Sequence, residues 1–277
     1  MPTLNNIVFC DNQYLEASMI TASSEESGYP IENIVDPIRS RIYKPTSNAF
    51  TLTIDRIYKP TSNAFTLTID LGVNASIDFV GMVGPISDYF GISDAATITL
   101  EANSINDFTT PPYSVSITPE LTGIFKFLDG NTDYRYWKWT IDDTGNPEDV
   151  NIGYIYMGDY TQLADRTVSK GFSTTMVDPT KSTTSMDGTV YYDEKQKYHK
   201  FQGLSLGYIP ADDRRSLEKL YWDNGKSTPM FVSLDPNLSF SEEYGELTKL
   251  VVWENAPSVT HHFDDVYSMS ISLRESI

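Results

Sequence analysis

The sequence has little cysteine, little positive charge and no long apolar run. Cys10 is the one cysteine in 277 residues, so no intrachain disulfide can form and burial must hold the fold together. Lys and Arg number 20 against 38 Asp and Glu, a formal charge of −18. A field of that sign repels phosphate backbones. The basic residues gather nowhere, Arg214-Arg215 and Lys195/Lys197/Lys200 being the densest spots, so nucleic acid is not an expected partner. The charge is read as a solubility device. No stretch approaches the roughly 18 apolar residues that a spanning helix needs, so membrane insertion is not expected. The opening MPTLNNIVFCDNQYLEAS lacks the basic start and apolar centre of a secretory leader, and synthesis in a cytoplasm is expected. The motifs G-x-S-x-G, H-E-x-x-H, G-x-G-x-x-G and the Walker loop are also missing. An enzyme is therefore not expected.

Aromatic and alternating text is plentiful. The 18 Tyr, 13 Phe and 4 Trp supply the apolar area that a core needs. FTLTIDL (65–71), ATITLEA (96–102), YSVSITPEL (113–121), YRYWKWTID (134–142) and IGYIYMG (152–158) alternate between turn clusters such as SGYP, NTD and DDTGNPED. That period of two predicts half-buried antiparallel strands, and their spacing predicts a sandwich. Near residue 160 the text becomes polar, rich in Ser and Thr and without period, so 160–188 reads as an extended linker or arm. Residues 189–277 read as a second β-rich domain with one helix, predicted at 211–224 within PADDRRSLEKLYWDNG. Asp212 or Asp213 is placed to cap its first turn; Leu217, Leu220 and Tyr221 share a face; Gly225 suits a left-handed C-cap. PMFVSLD (229–235), LTKLVVWEN (247–255) and DVYSMSISLRE (265–275) supply its strands.

Residues 41–55, RIYKPTSNAFTLTID, recur letter for letter as 56–70. Each copy is one turn, with Pro and Asn as turn formers, followed by one alternating strand. Identity over the whole copy marks a recent tandem duplication or an artefact, and one pair of repeats is not a solenoid. Only the second copy runs on into Leu71-Gly72, so it should hold the strand position and the first copy should be the insertion. Loop-closure entropy opposes such an insertion by only about 0.6 kcal/mol per doubling of loop length.

The stretch 22–41, then FTLTIDLG (65–72), then VGMVG (80–84) resembles the discoidin-like, galactose-binding-like β-sandwich. The matching positions are Asn33 and Asp36, then Leu67, Ile69, Asp70, Leu71 and Gly72, then Phe79 and Val80. Tyr136, Trp137 and Lys138 follow, with Ile152, Gly153, Ile155 and Gly158 closing the pattern. The likeness covers residues 20–158. Its disulfide-free form with a YP-x-x-N-x-x-D entry is similar to versions in bacteriophage tail proteins. LSLGYIPADDRRSLEKLYWDNGKSTPMFVSLDP resembles, more loosely, a segment of phage tail and baseplate components. The resemblance implies a jelly-roll type sandwich over 1–159, which precedes the arm 160–188 and the β-rich domain 189–277 in a mainly β chain. It further implies a non-enzymatic virion structural protein of a tail or baseplate, contacting other tail proteins and copies of itself as a homo-oligomer. The alternative is a carbohydrate-binding module for a host surface glycan.

Candidate site residues follow from chemistry. Asp129, Asn131 and Asp133 alternate oxygen donors as a calcium loop does, but Tyr134 stands where the glycine belongs and Thr140 where the bidentate acid belongs. A plain hairpin turn is the simpler reading, and calcium is the one cofactor weighed. Tyr89, Phe90 and Tyr113 sit in turn-rich text and would suit sugar stacking, against simple packing. Cys10 is read as a buried thiol. His261 and His262 are read as a solvated turn, since adjacent strand residues face opposite ways. Trp137 and Trp139 are assigned to the sandwich core; Trp222 and Trp253 are assigned to the core or an interface of the second domain.

Overall fold

Alternation builds the first sheet as the sequence predicts. In the computed structural model, which describes residues 7–15, 17–22, 64–84, 91–119, 123–130, 132–147, 150, 152–163, 172–234 and 248–276, the chain is mainly β. Its described residues fall into two compact units, one within Cys10–Tyr160 and the other within Leu4–Phe9, Thr161–Ser239 and Glu246–Ile277.

The described chain opens with β1 (Val8–Gln13) and β2 (Ile20–Ala22). The second copy of the repeat then supplies the start of β3 (Ala64–Ser76), where Phe65, Leu67, Ile69 and Leu71 are buried. The first copy lies outside the described residues. Next come β4 (Phe79–Val83), β5 (Thr97–Asn103), β6 (Tyr113–Ile117), β7 (Gly123–Phe127), β8 (Asp133–Asp142) and β9 (Tyr154–Gln162). One antiparallel sheet has the order β2-β3-β8-β5-β6. On the other side β4 pairs with both β7 and β9, again antiparallel. Leu67, Trp137 and Trp139 of the first sheet and Met82, Ile124 and Met157 of the second share one core, which makes this unit a β-sandwich. Both tryptophans are fully buried.

In the second unit β10 (Ser173–Val177), β13 (Tyr198–Pro210), β17 (Val266–Glu275), β15 (Thr248–Trp253) and β14 (Met230–Ser233) lie side by side in that order, and β16 (Ser258–Phe263) pairs with β17. The helix α1 runs Ala211–Asn224 and buries Leu217 and Leu220 in the core that holds Trp253. Tyr221 meets Trp253 edge-on at 5.5 Å. Pro210 is the N-cap and no side chain caps the first turn. Instead of capping, Asp212 pairs with Arg215 at 2.9 Å and Asp213 is buried. Gly225, at φ 56°, closes the helix by donating its N–H to Tyr221 O. Trp222 is 84% exposed, so the assignment to a core does not hold for it.

The stretch 160–188 contains the end of β9, all of β10 and the strand β11 (Lys181–Thr184), which pairs with β12 (Val190–Asp193) in a separate two-stranded sheet. His261 and His262 belong to β16, with the turn displaced to Asp264 and Asp265. Their rings go to different partners, His261 stacking on Tyr267 at 4.8 Å and His262 on Tyr208 at 5.4 Å.

Candidate functional site

The inward residues of β3, β5 and β8 make the core, so the intervening residues must form the outer face of the same sheet. Register places them in three rows: Asp70–Tyr136–Asn103, Thr68–Lys138–Glu101 and Thr66–Thr140–Thr99. All nine are half-buried. The face is polar throughout, and Tyr136 is its aromatic member.

Its charged groups are held by one another. Arg135 grips Asp70 through two bonds, Nε to Oδ1 at 2.6 Å and Nη2 to Oδ2 at 2.8 Å. The Gly72 N–H donates to the same carboxylate at 2.8 Å. The guanidinium beside Asp70, and then the Gly72 N–H, hold its carboxyl below the usual aspartate range. Arg135 also lies 4.8 Å from the centre of the Tyr136 ring. In the next row Lys138 Nζ is 2.6 Å from Glu101 Oε2 and 4.8 Å from the Phe108 ring centre. The β5–β6 loop that carries Phe108 is tied down by Asn103 Nδ2 donating to Asp107 O at 2.6 Å. Asp107 Oδ1 accepts the Thr109 N–H at 2.9 Å, an Asx turn.

Of the residues singled out in the sequence, Tyr113, Asp129 and Asp133 are among the described ones. Tyr113 begins β6 half-buried, with Trp137 5.9 Å and Tyr134 6.3 Å from its ring. Burial raises its pKa, opposed by a hydrogen bond from the Asp129 backbone, which brings Tyr113 and Asp129 together. Asp129 and Asp133 are exposed on either side of the β7–β8 turn. Asn131, Tyr89 and Phe90 lie outside the described residues. Among the described residues no three His, Cys, Asp or Glu side chains gather as a metal site would require. Cys10 is buried in β1.

In the same unit, Tyr14 donates to Asp159 Oδ2 at 2.6 Å. That bond, with burial and the nearby charges of Asp159 and Asp78, pushes the Tyr14 pKa up to about 12. Asp78 is half-buried beside Asp159, and burial raises its pKa. The charge of Asp159 repels that of Asp78, whose carboxylate accepts from the Ser76 hydroxyl.

Individual sugar-facing candidates in the sequence were turn aromatics, whereas the polar rows sit mid-strand. The signal for them was the alternation: FTLTIDL, ATITLEA and YRYWKWTID contain eight of the nine row positions, and Asn103 directly follows the second.

No protein-family model matches the chain, and no curated protein matches it. Solved structures that match in part include the family 32 carbohydrate-binding module of Clostridium perfringens NanJ in complex with galactose. It is 14% identical, covers 56% of this chain and 99% of that one, and has a TM-score of 0.38. The lectin domain of lectinolysin complexed with Lewis B antigen is 12% identical, with 55% and 99% covered and a TM-score of 0.36. A chitosan-binding module of a chitosanase/glucanase from Paenibacillus sp. IK-5 is 13% identical, with 53% and 98% covered and a TM-score of 0.34. Identity and TM-score are both low, so what the sandwich binds has to be read from its own side chains.

Proposed function

We propose that the first unit is a carbohydrate-binding module that receives an oligosaccharide on the outer face of its five-stranded sheet, and that it acts by binding without catalysis. One observation carries this reading. Tyr136 is flanked in register by the Asp70 carboxylate and the Asn103 amide, beside the Lys138–Glu101 pair. A sugar presents hydroxyls that both donate and accept, along with an apolar C–H face. A ring set among fixed carboxylate, amide and ammonium groups complements both, and charge-assisted hydrogen bonds are the stronger kind. Because neighbouring strands and ion pairs already fix these side chains, little ordering entropy remains to be lost on binding.

Calorimetric titration of the full chain with a panel of bacterial surface oligosaccharides tests the proposal. Binding that falls at least about tenfold in Tyr136→Ala, the cost of losing one central aromatic contact, supports it. Silence across the panel would refute it. The same titrations with calcium or a chelator test the 129–133 turn, whose exposed carboxylates are oxygen donors. Chelator-sensitive binding would bring a metal into recognition, and insensitive binding would leave it out.

The tail or baseplate setting implied by the sequence resemblance is a wider proposal. None of the similar structures named above is described as a virion protein. Mass spectrometry of purified particles tests it, and absence of the chain from them would refute it.

A further inference from the structure

Among the described residues the hairpin β11–β12 pairs with no other sheet, and each of its eight strand residues is exposed. Tyr191 is 61% exposed and Tyr192 68%, while Val190 beside them is 44% exposed. An isolated two-stranded hairpin is at best marginally stable in water, and it leaves both outer edges unpaired. This hairpin is nonetheless built from base to tip. Lys197 meets Asp178 at 3.5 Å at the base, and the Thr180 N–H donates to Asp178 Oδ1 at 3.0 Å. At the tip the Ser185 N–H donates to Thr189 O at 2.9 Å, Asp187 Oδ1 accepts the Thr189 N–H at 3.0 Å, and Gly188 turns at φ 84°. Such an element presents exposed rings and a ready strand edge.

We propose that β12 pairs antiparallel with β12 of a second copy of this chain, joining two hairpins into a four-stranded sheet about a twofold axis. Charge argues for a second copy as the occupant. Each chain carries −18, so two copies repel over most of their surfaces. Across residues 178–197, Lys181, Lys195 and Lys197 stand against Asp178, Asp187, Asp193 and Glu194, leaving the hairpin a single negative charge. It is a nearly neutral surface on a strongly acidic protein. Sequence argues the same way. A twofold axis normal to the sheet sets a residue opposite itself, and centring it on Tyr191 places Val190 opposite Tyr192 of the second copy. The same register sets Asp187 opposite Lys195, so opposite charges meet and no like charges do. Val190 and Tyr192 from both copies then share one face, the cross-strand aromatic and β-branched pairing that stabilises sheets.

Sedimentation of the full chain tests the pairing. A concentration-dependent dimer is expected, and Tyr191→Asp/Tyr192→Asp should weaken it at least about tenfold, as loss of central interface aromatics does. A chain that stays monomeric, or a double variant that dimerises as the parent does, would overturn the proposal. Tyr191→Cys gives a second readout that does not depend on the double variant folding. Mild oxidation should yield a covalent dimer through the self-opposed position, whereas Thr183→Cys on β11 should not cross-link. Equal cross-linking at both positions would contradict pairing through β12.

Discussion

Asp143 shows how a single carboxylate fixes a loop next to the sandwich. It is 4% exposed and accepts the Ser93 N–H at 2.8 Å, the Ser93 hydroxyl and Asn146 Nδ2 at 2.7 Å. Asn146 also donates to Gly91 O at 2.6 Å. Asp143→Ala would strand several donors at once and is expected to cost about 2–3 kcal/mol in urea unfolding, the range for hydrogen bonds to a charged group. Asp70 acts nearer the surface. Its folded-state pKa is depressed by Arg135, so its stabilising contribution is present above the unfolded value, about pH 4, and is lost as pH falls through the folded value. Its side chain and that of Arg135 are 42% and 39% exposed, which limits the contribution to less than about 1 kcal/mol. Asp70→Asn should therefore flatten the stability profile below about pH 4 and leave the acid slope from other carboxylates in place. An unchanged profile would show that the pair contributes nothing in solution.

Among the elements, the strands with clean alternation were the legible ones. FTLTIDL, ATITLEA, YSVSI and YRYWKWTID became β3, β5, β6 and β8, because one buried and one wet face is the pattern that period two encodes. The helix was legible from its apolar stripe and Gly225, but its N-terminus was misread: Pro210 already supplies the extended turn, leaving Asp212 to Arg215. The polar strands β10, β11 and β12 were not legible as strands, since with nearly every side chain exposed there is no buried face to generate an alternation. The site was legible only in part. Asp70, Tyr136 and Lys138 lie in alternating motifs, but their meeting depends on a register between strands far apart in sequence. At this scale the duplication makes its own prediction. The second copy supplies β3, which pairs with both β2 and β8, so a chain lacking residues 41–55 should keep its circular dichroism and its melting temperature. Loss of soluble chain would show that the first copy is needed.

At the scale of the whole molecule, the two proposals assign a division of labour: the sandwich would recognise a sugar, and the hairpin of the other unit would bring copies together. Two weak sites on a dimer raise overall avidity only where both can engage at once, so binding to an immobilised polysaccharide should weaken in Tyr191→Asp/Tyr192→Asp while binding to a free oligosaccharide stays unchanged. A sugar site on this sheet is tested by calorimetric titration of the full chain and of Tyr136→Ala with surface oligosaccharides. Saturable binding by the parent, lowered at least about tenfold in the variant with its fold intact, is the predicted result. Equal binding by both chains, or none by the parent, would contradict a sugar site on this sheet.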